Sequence, residues 1–385
     1  HSETPYKFYK HISHLGSVVL PDVQSLFLET AFTDGMGRHV LGGLFITDYD
    51  SLFGTLIQYN NNTGFPFGGS WGVNYYKDLF FTFQFYNRDQ VPLLELFNGT
   101  TLWWMMPYNF GNSRAANHSI GIALGLMDRQ AFDKMGEPFE DSSDVFHTPE
   151  SGKEGKISLN YIFKNQRIHR RNMFAPNHGY GFSVNHDMVT STIWGDLDYN
   201  KTEIDLFTHQ KAGPLSFYAR GRYEKLSGKP LAQDTLGIFD IPNYYIAGSF
   251  VPGREYMSPR GFSGARYGEQ AFMGTVELRA PAAPFQFVEI LKIIQLGNPT
   301  VALISDFGNA WKSDEEKEDL IMTTGLEFRL ALSLAKSPLF IFSYGWAQSP
   351  RKWGNDLEKL AEMEEGDVID VGPKPYFQMT LISPF

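Results

Sequence analysis

The chain has 385 residues, of which 42% are hydrophobic and 15% aromatic, with a net charge of −10 and no cysteine. The acidic balance excludes nucleic acid as a partner, because phosphate binding needs a basic surface, and no apolar run reaches the roughly 18 residues of a membrane-spanning helix. A content of 33 Phe and 19 Tyr beside a mean hydropathy of −0.27 suits a β-barrel, whose strands meet lipid on one face and water on the other.

Residues 1–21 show no sustained alternation and read as a short N-terminal periplasmic segment. From about residue 22 onward, period-2 alternation recurs in runs of about 8–11 residues, the length of a tilted membrane strand. Leu79, Phe81, Phe83 and Phe85 alternate with Thr82, Gln84 and Tyr86. Ile120, Ile122, Leu124 and Leu126 alternate with Gly121, Ala123 and Gly125, an opposite face that leaves room for something bulky. Ile157, Leu159, Tyr161 and Phe163 follow the same rule, as do Leu215, Phe217 and Tyr223 against Ser216, Tyr218, Arg220 and Arg222. A soluble sandwich strand can alternate in this way too, but repetition along most of the chain favours a barrel. The segments number roughly sixteen, even as bacterial barrels require. The whole of 22–385 thus reads as one all-β domain, a 16-stranded antiparallel transmembrane barrel.

The longest connection, 226–268, is rich in Gly and Pro and lacks periodicity, which marks a functional loop. After it, Phe272, Val276 and Leu278 alternate with Thr275, Glu277 and Arg279, and Leu326, Phe328 and Leu330 with Glu327 and Arg329. By parity Glu277, Asp306, Arg279, Glu327 and Arg329 all face the lumen. The most apolar stretch, Phe285 to Leu296, is cut by Glu289 and Lys292. Ala335 to Pro338 reads as a tight turn, and Asp356 to Glu365 as a short helix in an acidic outer loop. The last strand ends on Phe385, with Phe377, Met379 and Leu381 on one face. Ser383 and Pro384 weaken it as a closing strand, because Pro donates no ladder hydrogen bond.

Several constellations carry no chemistry. Gly261-Phe262-Ser263-Gly264-Ala265 is one residue from a nucleophile elbow but lacks the final Gly and the strand-turn-helix setting. His169, His178 and His186 have no metal-ligand spacing. The chain is therefore read as a non-enzyme with no catalytic residue, metal or cofactor.

Ser258-Pro259-Arg260-Gly261-Phe262, followed by Glu277-Leu278-Arg279, Ile304-Ser305-Asp306-Phe307-Gly308, Gly325-Leu326-Glu327-Phe328-Arg329 and the terminal Phe385, resembles the last third of the BamA-type superfamily, the bacterial surface antigen family. The resemblance implies a barrel whose long extracellular loop folds inward, with Arg260 docked on Glu277 and Asp306 beside Gly308, Gly261 turning the loop and Phe262 packing on the wall. A lone Arg-Gly-Phe is ordinarily a solvated loop; the acidic motifs in matching order favour docking, since a guanidinium offers a fixed fork of donors to carboxylates. The resemblance also implies a weak seam at Ser383, Pro384 and Phe385. It implies insertion or transport of protein or lipid across the bacterial outer membrane by a member, or a trimmed chain, without POTRA domains. The alternative is a channel or lipid-handling barrel without protein clients. Outer-membrane lipids and lipopolysaccharide are the expected surroundings, and unfolded protein or lipid the clients. Oligomeric state is left open, a homodimer among the options.

Overall fold

In a computed structural model of the protein, the described residues are 7–21, 26–47, 52–64, 68–84, 92–108, 117–132, 150–166, 178–239, 244–247, 257, 259–262, 265–282, 288–290, 294–297, 299–313, 320–334, 337–348 and 374–382. They form strands and short 3-10 turns. The first eleven strands are β1 (Ile12–Pro21), β2 (Leu26–Asp34), β3 (His39–Thr47), β4 (Phe53–Asn61), β5 (Ser70–Gln84), β6 (Pro92–Tyr108), β7 (Asn117–Phe132), β8 (Gly152–Gln166), β9 (His178–Val189), β10 (Asp198–Ala212) and β11 (Leu215–Lys229). The long loop carries β12 (Leu236–Phe239), β13 (Tyr244–Ala247) and β14 (Ala265–Gly268). Then follow β15 (Gln270–Pro281), β16 (Val288–Ile290), β17 (Ile294–Leu296), β18 (Thr300–Trp311), β19 (Ile321–Leu334), β20 (Ser337–Gln348) and β21 (Lys374–Ile382).

One sheet holds 19 of these strands. β1 to β11 pair antiparallel in chain order, and the ladder continues through β15, β18, β19, β20 and β21. That is a sixteen-strand meander. β16 and β17 form a small hairpin beside β19, while β12 and β14 pair with each other inside the long loop.

Alternation makes the sheet two-faced. Leu303 is 55% exposed, Leu326 54% and Leu206 52%, and Ile120, Ile122, Leu124 and Leu126 form an exposed row on β7. The opposite, inner face buries Glu277, Asp306, Glu327 and Arg329. Charge is inside and apolar bulk outside, the reverse of a protein core in water. The long loop packs on the inner face. Leu236, Ile238 and Met257 from the loop cluster with Val189, Tyr199, Leu226, Ala271, Ala310 and Ile321, and Phe262 packs against the group.

Two boundaries differ from the sequence reading. β1 lies within 1–21, the stretch read as a periplasmic segment, and pairs with β2 from Ile12 to Pro21. Its register shifts between His14 and Gly16; a bulge inserts one residue and erases the alternation that would have announced the strand. Leu79 was grouped with an apolar row of alternating Phe, yet it is fully buried beside Phe80, Tyr76 and Phe97. A register shift between Tyr76 and Leu79, with Asp78 at φ 47°, turns Leu79 inward. Of the turn read at Ala335 to Pro338, Ala335 and Lys336 lie outside the described residues; β19 and β20 flank them, with Leu334 opposite Ser337. The helix read at Asp356 to Glu365 lies outside the described residues.

The ends of the meander do not share a ladder among the described residues. β21 has β20 on one side and, on the other, β13 running parallel from Tyr244↔Met379 to Ala247↔Ile382. Among the described residues the ladder of β1 is with β2. Hydrogen exchange reads this difference directly, because amides without a ladder partner open with little free energy. The alternate amides of β1 that point away from β2 should exchange faster than those of β7, which is flanked by β6 and β8. Equal protection in both strands would contradict a weakly held β1 edge.

Candidate functional site

The inner wall of β15, β18 and β19 carries three buried carboxylates, Glu277, Asp306 and Glu327, and Arg260 of the long loop reaches all of them. Its backbone N–H donates to Asp306 Oδ2 at 2.9 Å, its Nε to the same oxygen at 2.7 Å and its Nη2 to Asp306 Oδ1 at 2.6 Å. Nη1 donates to Glu277 Oε1 at 2.8 Å and to Glu327 Oε2 at 3.3 Å. The fork of the guanidinium and the parity of three adjacent strands fit one another, a geometry that an ammonium would not reproduce.

Two wall arginines complete the cluster. Arg329 donates from Nη1 and Nη2 to the two oxygens of Glu277, each at 2.8 Å, and from Nε to Glu327. Arg279 donates from Nε to Glu277 Oε2 at 2.6 Å, and its guanidinium carbon lies 4.0 Å from the centre of the Tyr218 ring. The Thr275 hydroxyl donates to Asp306 Oδ1 at 2.9 Å and the Tyr376 hydroxyl to Glu327 Oε2 at 2.6 Å. Three cations thus face three anions in a buried site. Burial alone would pull the Arg260 pKa down; Asp306 and Glu277 outweigh it and hold the guanidinium well above its usual range, so it stays charged.

Small residues let these long side chains converge. Ala302 is opposite Arg279 on one side and Glu327 on the other, so the charged arms pass over a methyl group. Glu327 is opposite Gly345, and Gly345 opposite Tyr376. A Cβ at Gly345 would stand 2.6 Å from the Tyr376 hydroxyl and 2.7 Å from Cζ, so only glycine lets the tyrosine cross β20 to reach Glu327. Gly261 has φ +77°, and a Cβ there would lie 2.6 Å from the Ala347 carbonyl oxygen. Glycine is required at this turn on both counts.

The structure therefore brings Arg260, Glu277, Asp306, Arg279, Glu327 and Arg329 together, with Gly261 and Phe262 alongside. Gly308 does not join the cluster. It lies beneath Ile238, whose Cδ1 would be 2.6 Å from an added Cβ, so it admits the β12 segment of the loop instead. Ser383, Pro384 and Phe385 lie outside the described residues. Sequence reasoning gave no role to Tyr376, Gly345 or Ala302, and placed Thr275 on the inner face without a partner. Tyr376 was within reach of parity, since the sequence reading puts its neighbour Phe377 on the apolar face, and Phe377 is exposed.

Comparison with solved structures follows the same outline. BamA from Haemophilus ducreyi lacking POTRA domains 1-3 superposes with a TM-score of 0.58 at 13% identity, over 96% of this chain and 69% of that one. CdiB from Acinetobacter baumannii matches with a TM-score of 0.51 at 12% identity over 92% of this chain and 56% of that one, and CdiB from Escherichia coli with 0.52 at 10% over 92% and 58%. The chain has the BamA-type fold. It spans little more than half the length of the two CdiB structures, and identity this low shows the BamA-type fold alone. No protein-family model and no curated protein matches the sequence.

Removing one partner from a buried ion cluster leaves the others uncompensated and costs about 3–5 kcal/mol. Asp306→Arg should lower unfolding stability by at least that much and abolish heat-modifiable migration on gels. Gly345→Val, which blocks Tyr376 without touching a charge, should have a smaller effect of about 1–3 kcal/mol. Wild-type migration and stability in Asp306→Arg would refute the buried site.

Proposed function

We propose that the chain closes into a 16-stranded barrel in a bacterial outer membrane and works as a translocase or assembly barrel that inserts or transports protein or lipid. The observation that carries this reading is the inverted sheet: apolar rows outward, an ion cluster inward, and a long loop held on that inner cluster. Backbone groups inside a bilayer must be paired within the structure, so a long sheet with an apolar outer face is stable there only when closed. β1 and β21 would meet as a weak seam, which requires β13 to leave the edge of β21 that it occupies from Met379 to Ile382. The likeness to BamA and to CdiB supports the role implied by the sequence motifs. Lipid and lipopolysaccharide are the surroundings in this reading, and unfolded protein or lipid the clients. The barrel performs no catalysis.

A second reading, a channel or lipid-handling barrel without protein clients, is favoured by one observation. The inner face of β10 and β11 carries a ladder of opposite charges: Arg222 with Glu224 at 2.7 Å and with Glu203 at 3.1 Å, Lys201 with Glu224 at 3.1 Å, and Arg220 with Asp205. Such a stripe suits a wet lumen.

Planar-bilayer conductance separates the two. A barrel closed by its loop gives rare openings in the wild type and a several-fold higher open probability in Arg260→Ala, whereas a standing channel conducts steadily in both. The membrane placement has its own test. Leu303→Arg on the outward row should destabilise the barrel in lipid vesicles by about 2–4 kcal/mol, the depth-dependent penalty for a charge facing hydrocarbon. Unchanged refolding of that variant into lipid would argue that Leu303 does not face a membrane.

A further inference from the structure

A second ion cluster lies on β6, β7, β8 and β10, and the same long loop reaches it. Arg129 donates from Nε to Glu95 Oε1 at 2.8 Å, and from Nη1 and Nη2 to Asp234 Oδ2 and Oδ1 at 2.7 and 2.8 Å. Nη1 also donates to Glu154 Oε2 at 3.3 Å, which accepts from the Tyr199 hydroxyl at 2.9 Å. Gln233 beside it donates from Nε2 to Glu95 Oε1 at 3.2 Å and to the Glu150 carbonyl at 2.7 Å, and accepts from the Glu150 N–H at 2.9 Å. Arg129, Glu95, Glu154 and Gln233 are buried. The elements sit near one end of their strands: Glu95 early in β6, Arg129 late in β7, Glu154 early in β8 and Tyr199 early in β10.

We propose that Gln233 and Asp234 are a second, releasable anchor, so that the loop is a strap fixed at Arg260 and latched at Arg129. Along the meander the two anchors lie far apart, on β6 to β10 and on β15 to β21. Charge balance distinguishes them. Among the described residues the latch sets Arg129 and Lys156, which is 3.6 Å from Glu154, against Glu95, Glu154 and Asp234. Withdrawal of Asp234 leaves two cations facing two carboxylates. Withdrawal of Arg260 leaves two guanidiniums facing three carboxylates, with Asp306 fully buried and keeping only the Thr275 hydroxyl among its described hydrogen bonds. An uncompensated buried charge is what makes a broken pair costly. The Asp234 side chain also keeps 14% of its surface open to solvent, against none for Asp306. The loop therefore opens from the Arg129 end. This inference deepens the reading of the chain as a loop-closed barrel and rests on it for its consequence, the opening of the lumen.

The absence of cysteine allows a direct test in the full chain refolded into lipid vesicles. Ala232→Cys, next to Gln233, is labelled with a charged maleimide, with Tyr267→Cys, on β14 where it pairs with β12 beyond the latch, as the control. Asp234→Asn should raise the labelling rate at position 232 by about tenfold, the effect of a modest shift in a local opening equilibrium. Position 267 should not change, and Asp234→Glu should restore the slow rate. Equal rates at position 232 with and without Asp234→Asn would overturn the latch. So would loss of heat-modifiable migration in Asp234→Asn, because the contact would then hold the barrel itself. Conductance of the same variant separates the two ideas: faster labelling with no added openings supports the latch and counts against the loop-closed pore.

Discussion

The arrangement depends on a buried guanidinium having to find carboxylates. Arg260 cannot shed its proton at any ordinary pH, so a loop that carries it inside must bring it to fixed anions or leave it in water. Asp306, Glu277 and Glu327 supply those anions from three adjacent strands, and they in turn need the cation. Once Arg260 is in place the neighbouring elements follow. Gly261 turns against β20, Phe262 joins the apolar cluster, and β12 lies over Gly308. The outward face, with its apolar rows, contributes nothing to this contact.

Glycine and alanine decide where the ion cluster can form. The wall is made of long side chains, and two of them meet across an intervening strand only where that strand is bare. Ala302 between Arg279 and Glu327, and Gly345 between Glu327 and Tyr376, are such places. A β-sheet transmits side-chain contact between nearest strands as a rule. Here the small residues extend it one strand further, so the last strand is tied to the docked loop through Tyr376. The last strand of the sheet and the long loop are thus mechanically connected.

Much of this was legible in the sequence, because period 2 assigns each residue to a face without any structure. Glu277, Asp306, Arg279, Glu327 and Arg329 all lie on the inner face where parity puts them. Parity fails where the backbone departs from regular pleating. The bulge between His14 and Gly16 concealed β1, and the shift between Tyr76 and Leu79 moved Leu79 from the apparent apolar row to the interior. Pairing between distant segments is also invisible to periodicity. Nothing in the spacing of Arg129 and Asp234, or of Tyr244 and Met379, announces that they meet. Those contacts depend on where the loop lies once the wall exists, and on charge balance that a local pattern does not carry.

The account is tested most directly by a double-mutant cycle on Arg260 and Asp306. Unfolding of the wild type, Arg260→Ala, Asp306→Ala and the double variant from lipid vesicles gives their coupling free energy. A buried, multiply hydrogen-bonded pair predicts coupling of about 2–3 kcal/mol, the upper part of the range for residues in contact. Additive effects, with coupling indistinguishable from zero, would mean that the loop arginine does not dock on the wall carboxylate.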